Sequence, residues 1–157
     1  MSTRADEPYT ESEIIMTAVR IVAPFILTYG LFITFHGADS PGGGFQGGAL
    51  IGVVVLMLAF AFGARPTREW LGHSVITILV AGGTIIFVGV GLATLALGGA
   101  FLEYQLFGVF GIPDATKWGM EAIEIGGVAA IVGGAVMGLF FVIAAGFAAL
   151  EMDGDDQ

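Results

Sequence analysis

The chain has 157 residues and a net charge of −9, and only 12% of its residues are charged, against about 25% in a typical globular domain. The absence of cysteine excludes a disulfide scaffold, and an apolar content of 56% excludes a disordered tail. Every charged side chain lies outside four stretches that together hold 102 residues: 21–38, 40–64, 70–102 and 125–150. Because a charge at the centre of a bilayer costs at least about 2.5 kcal/mol, this segregation predicts an integral membrane protein.

Four apolar segments reach or approach the length of about 20 residues that a helix needs to cross a bilayer. They are 14–35, 45–62, 75–97 and 122–150. The expected fold is therefore an all-α membrane protein with four transmembrane helices and short loops. Residues 14–150 would form the transmembrane domain, between an acidic cytoplasmic N-terminal segment, 1–13, and an acidic C-terminal tail, 151–157.

The first span follows acidic residues instead of the basic segment of a signal peptide, so we expect it to remain in the mature protein. It ends at His36, whose imidazole can titrate near neutral pH. A histidine here is either an interfacial hydrogen-bonding group or part of a proton path.

The loop between the first two spans is rich in proline and glycine. It contains G-x-G-x-x-G at Gly42, Gly44 and Gly47, but no strand precedes it, so we do not expect a dinucleotide site or any other cofactor. The loop is either a plain tight turn or backbone that packs into protein or lines a wet cavity at the membrane surface.

The connection at 64–70 carries Arg65 and Arg68, two of the five basic residues. By the positive-inside rule this connection is cytoplasmic, which would place both termini of this multi-pass protein on the cytoplasmic side of the cell membrane. Acidic ends do not suit nucleic acid, so we expect no nucleic-acid partner.

Two carboxylates, Glu121 and Glu124, stand three residues apart at the start of the fourth span. Carboxylates near membrane depth are candidates for a cation or proton path, so Glu121, Glu124 and His36 form our candidate set. No carboxylate lies deep in any span, which argues against a self-sufficient pump. No spacing typical of a metal site or of a catalytic triad is present, so we expect neither a metal nor an enzyme.

Small residues recur every four positions on two spans. Such stripes mark faces where membrane helices pack closely, either within the chain or against other chains, and we favour other chains because four thin helices leave much outward surface. The predicted packing positions are Gly48, Gly52, Gly126, Gly134 and Gly138.

The run APFILTYGL at 23–31, the His36-Gly37 pair and the run SPGGGFQGG at 40–48 resemble the MnhB family, the B subunits of the Mrp-type multisubunit Na+/H+ antiporters. The family signature falls on His36, Pro41, Gly42, Gly43, Gly44, Phe45, Gln46, Gly47 and Gly48. The resemblance implies a four-helix accessory subunit in the lipid bilayer, assembled with other antiporter subunits that exchange Na+, sometimes Li+ or K+, for H+. In the family the pumping machinery belongs to the large subunits.

Two alternatives remain at this point. Related domains occur in membrane-bound hydrogenase complexes, where the chemistry lies in partner chains. A self-contained homodimeric transporter fits the size alone, but it would need a central charged residue, and the spans have none.

Overall fold

The computed structural model describes residues 12–37 and 42–154, and within these residues all regular structure is helical. In chain order the elements are α1 (Glu13–Phe35), α2 (Gly44–Phe62), α3 (Ala64–Leu71), α4 (His73–Ala96), a 3-10 helix (Tyr104–Phe110), α5 (Ala115–Glu121), a π-helical segment (Ala122–Ala129) and α6 (Ala130–Gly154).

Four helices are long and apolar enough to cross a membrane: Glu13–Phe35, Gly44–Phe62, Ser74–Ala96 and Ala115–Phe147. This confirms the predicted all-α fold with four transmembrane helices.

The fourth helix begins at Ala115, seven residues before the predicted start at 122. The predicted span leaves out Lys117 and Glu121, although both lie in α5. A helix can continue beyond the hydrocarbon into the interface, where charges are tolerated, and here α5 passes into the π-helical segment with helical dihedral angles at Ala122.

The helices form a layered bundle in which α1 packs on α2, α2 packs on α6, and α6 packs on α4. One apolar cluster joins α1 to α2 through Val19, Ala23, Val54 and Ala61. A second joins α2 to α6 through Val55, Ala59, Met137 and Phe141. The helices α1 and α4 therefore lie on the outside of the bundle, with large apolar side chains such as Phe25 and Ile85 exposed.

The predicted packing glycines lie at contacts between helices of this chain. A Cβ added at Gly52 would lie 2.9 Å from Cβ of Val136 on α6, and one at Gly134 would lie 2.7 Å from Cγ2 of Val80 on α4. Gly48 faces Ala129, Gly126 faces Ile86, and Gly138 faces Ile76. The stripes thus meet neighbouring helices of the same chain, whereas the sequence favoured contacts with other chains.

The turn after α4 is held by Thr94, whose side chain is completely buried. Its hydroxyl donates to the carbonyl of Gly91 at 2.8 Å and accepts from the backbone N–H of Leu102 at 3.0 Å. Leu102 has a positive φ of 63°, which is unusual for a residue with a branched side chain. This hydroxyl therefore fixes the turn that leads to the 3-10 helix.

Candidate functional site

The loop between α1 and α2 approaches α2 through two glycines in the left-handed region, Gly42 at φ +141° and Gly43 at φ +130°. Other residues rarely adopt these angles. Gly43 is the N-cap of α2, and its carbonyl accepts from the N–H of Gly47 at 3.0 Å. Pro41, another residue of the predicted signature, lies outside the described residues.

Three glycines of this region, Gly37, Gly43 and Gly44, pack directly against Glu124. We call these three residues the glycine cradle. A Cβ at Gly43 would lie 2.9 Å from Oε1 of Glu124, and a Cβ at Gly37 would overlap Oε2. A Cβ at Gly44 would overlap the main-chain carbonyl oxygen of Glu124. Only glycine allows the two segments to approach this closely.

The carboxylate of Glu124 has one buried oxygen, Oε2, with no hydrogen-bond partner in the described part of the chain. Such an oxygen carries a free-energy penalty, roughly 1–3 kcal/mol for a neutral group and more for a charged one. Binding a proton or a cation would offset that penalty. The cradle thus holds an acidic group in a position that suits reversible binding of a small positive charge.

Glu124 lies in the π-helical segment Ala122–Ala129. Wide turns of this kind are rare and occur often at functional sites. Glu121, the last residue of α5, directly precedes this segment and is half-buried. Both predicted carboxylates therefore lie at the same end of the fourth helix. Of the two, Glu124 is the one that packs against the glycine cradle.

Tyr104, in the 3-10 helix, is part of this environment. Its ring packs on α5, because a Cβ at Gly119 would lie 2.6 Å from Cδ1 of Tyr104. Burial and, to a lesser extent, the negative charge of Glu124 raise the pKa of the Tyr104 phenol above its ordinary value. No sequence pattern connects these two residues, since the approach depends on how the 3-10 helix folds back onto α5.

His36 caps the end of α1 next to Gly37 and is exposed. Its Nδ1 lies 3.0 Å from the carbonyl oxygen of Phe32, and its ring stacks on the Phe32 ring with centroids 4.3 Å apart. The structure thus places His36 at the edge of the cradle, with its ring oriented by its own helix.

The remaining signature residues divide between packing and exposed positions. Gly47 lies against Thr34, whose hydroxyl donates to the carbonyl of Gly30 at 2.8 Å, and a Cβ at Gly48 would lie 2.9 Å from Cα of Ala129. Phe45 and Gln46 are exposed on the outer side of α2. The glycines therefore hold α2 against α1 and the fourth helix, while Phe45 and Gln46 face away from the bundle.

Within residues 12–37 and 42–154, no group of three or more His, Cys, Asp or Glu side chains is placed to hold a metal ion.

Comparison with known families matches most of the chain, including this glycine-rich region. A family model described as a domain related to the MnhB subunit of Na+/H+ antiporter matches residues 14–138, which include the cradle, the π-helical segment and most of the bundle. The chain belongs to the MnhB family. The resemblance predicted from the loop and the first span is thereby confirmed.

Similar proteins carry related names. This MnhB-family chain is 30% identical over 112 residues to the B subunit of the Na(+)/H(+) antiporter of Bacillus subtilis, covering 71% of this chain and 77% of that protein. It is 30% identical over 97 residues to the protein of the same name from Alkalihalophilus pseudofirmus, covering 62% and 66%. It is 25% identical over 130 residues to the putative antiporter subunit mnhB2 of Staphylococcus haemolyticus, covering 78% and 89%.

Family membership and the four apolar helices together identify a multi-pass membrane protein. The relatives named above are transporter subunits and not enzymes.

Proposed function

We propose that this MnhB-family chain is an integral-membrane accessory subunit of a multisubunit monovalent cation/proton antiporter, with Na+ and H+ as the transported ions. The match to the MnhB family over residues 14–138 is the observation that carries this function. The names of the relatives support it.

Within that complex we propose that Glu124 binds a proton or a cation on its path through the membrane. The support is its buried oxygen without a partner in the described part of the chain and its close packing against Gly37, Gly43 and Gly44. Glu121 lies three residues before Glu124 in the chain, and His36 is adjacent to Gly37 of the glycine cradle. These two residues are the next candidates for the same path.

The central test is Glu124→Gln in the complete complex, assayed as Na+-dependent proton movement in everted vesicles from a host without its own antiporters. The amide has nearly the same size, so the complex should assemble, but it cannot exchange a proton. We expect the exchange rate to fall by about ten-fold or more, as general acid–base groups contribute at least this much elsewhere. An unchanged rate in Glu124→Gln would contradict a role for this carboxylate in transport.

A matched control is Glu69→Gln, which removes an exposed carboxylate at the other end of the bundle. It should leave the exchange rate unchanged. Glu121→Gln then shows whether the neighbouring carboxylate also contributes to proton or cation transport.

The accessory role has a test of its own. Expressed alone, the chain should give no Na+/H+ exchange, and from its native membrane it should purify with larger membrane subunits of an antiporter. Robust exchange by the isolated chain, or purification with metal-cluster proteins instead, would overturn this assignment.

We further propose that α3 faces the cytoplasm and that both termini lie on that side, on the support of Arg65 and Arg68. The chain has no cysteine, so single cysteines introduced at Glu69 and at the exposed Thr116 can be labelled with an impermeant reagent. In everted vesicles the cysteine at 69 should react and the cysteine at 116 should not. The reverse pattern would invert the topology.

A further inference from the structure

At the end of the bundle opposite Glu124, an apolar groove of about 720 Å³ runs between α2 and α6 and ends at α3. Its walls are almost entirely apolar and include Phe60 and Phe62 from α2 and Phe140, Ile143 and Phe147 from α6. Phe60 and Phe147 are largely exposed on the bundle surface. The groove therefore opens toward the hydrocarbon of the membrane.

The polar end of the groove carries two arginines and one glutamate, all on α3. A second cavity, about 380 Å³, continues between α3 and α6, and Ala64, Arg65 and Ala144 line both cavities. Arg68 lines this second cavity, and its guanidinium carbon lies 5.4 Å from the centroid of the Phe141 ring. The groove thus leads from an apolar channel to two arginines on one short helix.

Arg68 has a hydrogen-bond donor that the described part of the chain leaves unused. Its Nη1 is buried and has no acceptor, and the nearby carboxylate of Glu69 binds Arg65 at 3.2 Å. A buried guanidinium nitrogen without an acceptor is unfavourable, so an anionic group from outside the chain would stabilise it.

A third arginine adds to the positive charge at this end. The guanidinium carbon of Arg20 on α1 lies 5.3 Å from the ring centroid of Phe62, which lines the groove. Arg65 thus lines both cavities, Arg68 lines the second, and Arg20 contacts a phenylalanine of the groove wall.

We propose that this groove is a binding site for one anionic phospholipid. The phosphate accepts hydrogen bonds from Arg68 and Arg65, and an acyl chain lies along the apolar wall between Phe60 and Phe147. Basic pockets between transmembrane helices bind anionic headgroups in this way. The combination of an unused guanidinium donor with an apolar channel that opens into the bilayer favours a lipid over a protein segment, which would have to supply its own buried carboxylate.

The test uses the intact complex in nanodiscs, with the photoreactive residue benzoylphenylalanine in place of Phe147. In discs of phosphatidylglycerol mixed with phosphatidylcholine, irradiation should give an adduct with the mass of phosphatidylglycerol, enriched relative to its share of the bilayer. Arg68→Gln should reduce this enrichment by about ten-fold, the factor expected for loss of a charged hydrogen bond. Arg68→Lys should retain part of it.

Two controls separate this site from general contact with lipid. The same photoreactive residue at Phe25, which is exposed on α1 away from the groove, should label both lipids in proportion to their abundance. Lys117→Gln, a loss of positive charge on α5, should leave the Phe147 adduct unchanged.

Ala144→Phe fills the groove while keeping all three arginines, and should abolish the enriched adduct in a complex that still assembles. An adduct at Phe147 with a partner polypeptide, or equal phosphatidylglycerol labelling in the wild type and in Arg68→Gln, would overturn the proposal.

Discussion

The carboxylate of Glu124 occupies the space in which a side chain at Gly37 would lie. This contact connects the end of α1 to the π-helical segment. It explains why the loop between α1 and α2 carries so many glycines. Gly42 and Gly43 need left-handed backbone angles, and Gly37 and Gly44 leave room for Glu124.

Substitution in the glycine cradle should reduce assembly of the protein. Gly37→Ala and Gly44→Ala each place a methyl group onto Glu124, and overpacking of this kind costs roughly 1–3 kcal/mol. Gly43→Val adds backbone strain at φ +130°. We expect a lower yield of complex and a lower thermal midpoint by size-exclusion chromatography after heating.

Gly89→Ala is the control, because a Cβ there meets nothing within 4 Å. Equal yields for the cradle variants and the control would show that the loop tolerates side chains.

Tyr104 should ionise at a higher pH than an ordinary tyrosine. Its pKa is raised by burial first and by the charge of Glu124 second. Ultraviolet difference titration of wild type against Tyr104→Phe isolates its signal, and Glu124→Gln should move that signal toward lower pH. If Tyr104 ionises at the same pH in the wild type and in Glu124→Gln, the proximity of the two groups is contradicted.

The same raised pKa has a consequence for stability. The folded state holds the phenolic proton to higher pH than the unfolded state, so the stabilisation is complete below the ordinary tyrosine pKa of about 10. It is lost as the pH rises through the folded-state pKa. Tyr104→Phe should therefore lose less stability than the wild type between neutral and strongly alkaline pH, measured as the shift of thermal midpoint.

His36→Ala tests whether the imidazole carries protons. If His36 belongs to the path, the pH profile of exchange in vesicles should change shape when the imidazole is removed. His36→Gln separates the loss of a proton-exchanging group from the loss of a polar group, since the amide is polar but does not exchange a proton in this way. A pH profile identical to wild type in both variants would leave His36 as an interfacial anchor.

Thr94→Val should destabilise the turn after α4. The substitution keeps the shape of the side chain but leaves the N–H of Leu102 without its acceptor, at a cost of about 1–3 kcal/mol. The control is Thr84→Val, which removes a hydroxyl bonded only to its own helix at an exposed position. The thermal midpoint of the complex should fall for Thr94→Val and change little for Thr84→Val. Similar midpoints would show that the buried hydroxyl contributes little.

The helices could be predicted because the bilayer separates charged from apolar residues along the chain. The three earlier spans begin and end within two residues of the predicted positions, as Phe35 and Phe62 illustrate. The fourth helix starts seven residues earlier than predicted, because it continues through the charged residues Lys117 and Glu121 of α5.

The candidate site was predictable only in its parts. The sequence indicated Glu124 and the glycine loop separately, since residue type and position relative to a span can be read directly. That they touch depends on the packing of α2 against the fourth helix and on a π-helical segment, neither of which has a sequence pattern. The unused hydrogen-bond donor of Arg68 could not be predicted from the sequence for the same reason, because it depends on burial against Phe141.

The π-helical segment also adjusts the rotational phase of the longest helix. Its wider turns delay the rotation of the chain about the helix axis, so side chains before and after it take relative directions that a uniform α-helix would not give them. On one side of this adjustment Gly119 receives the Tyr104 ring, and on the other Gly134 and Gly138 meet α4. One continuous helix can therefore serve two differently oriented contact surfaces, with Glu124 lying between them.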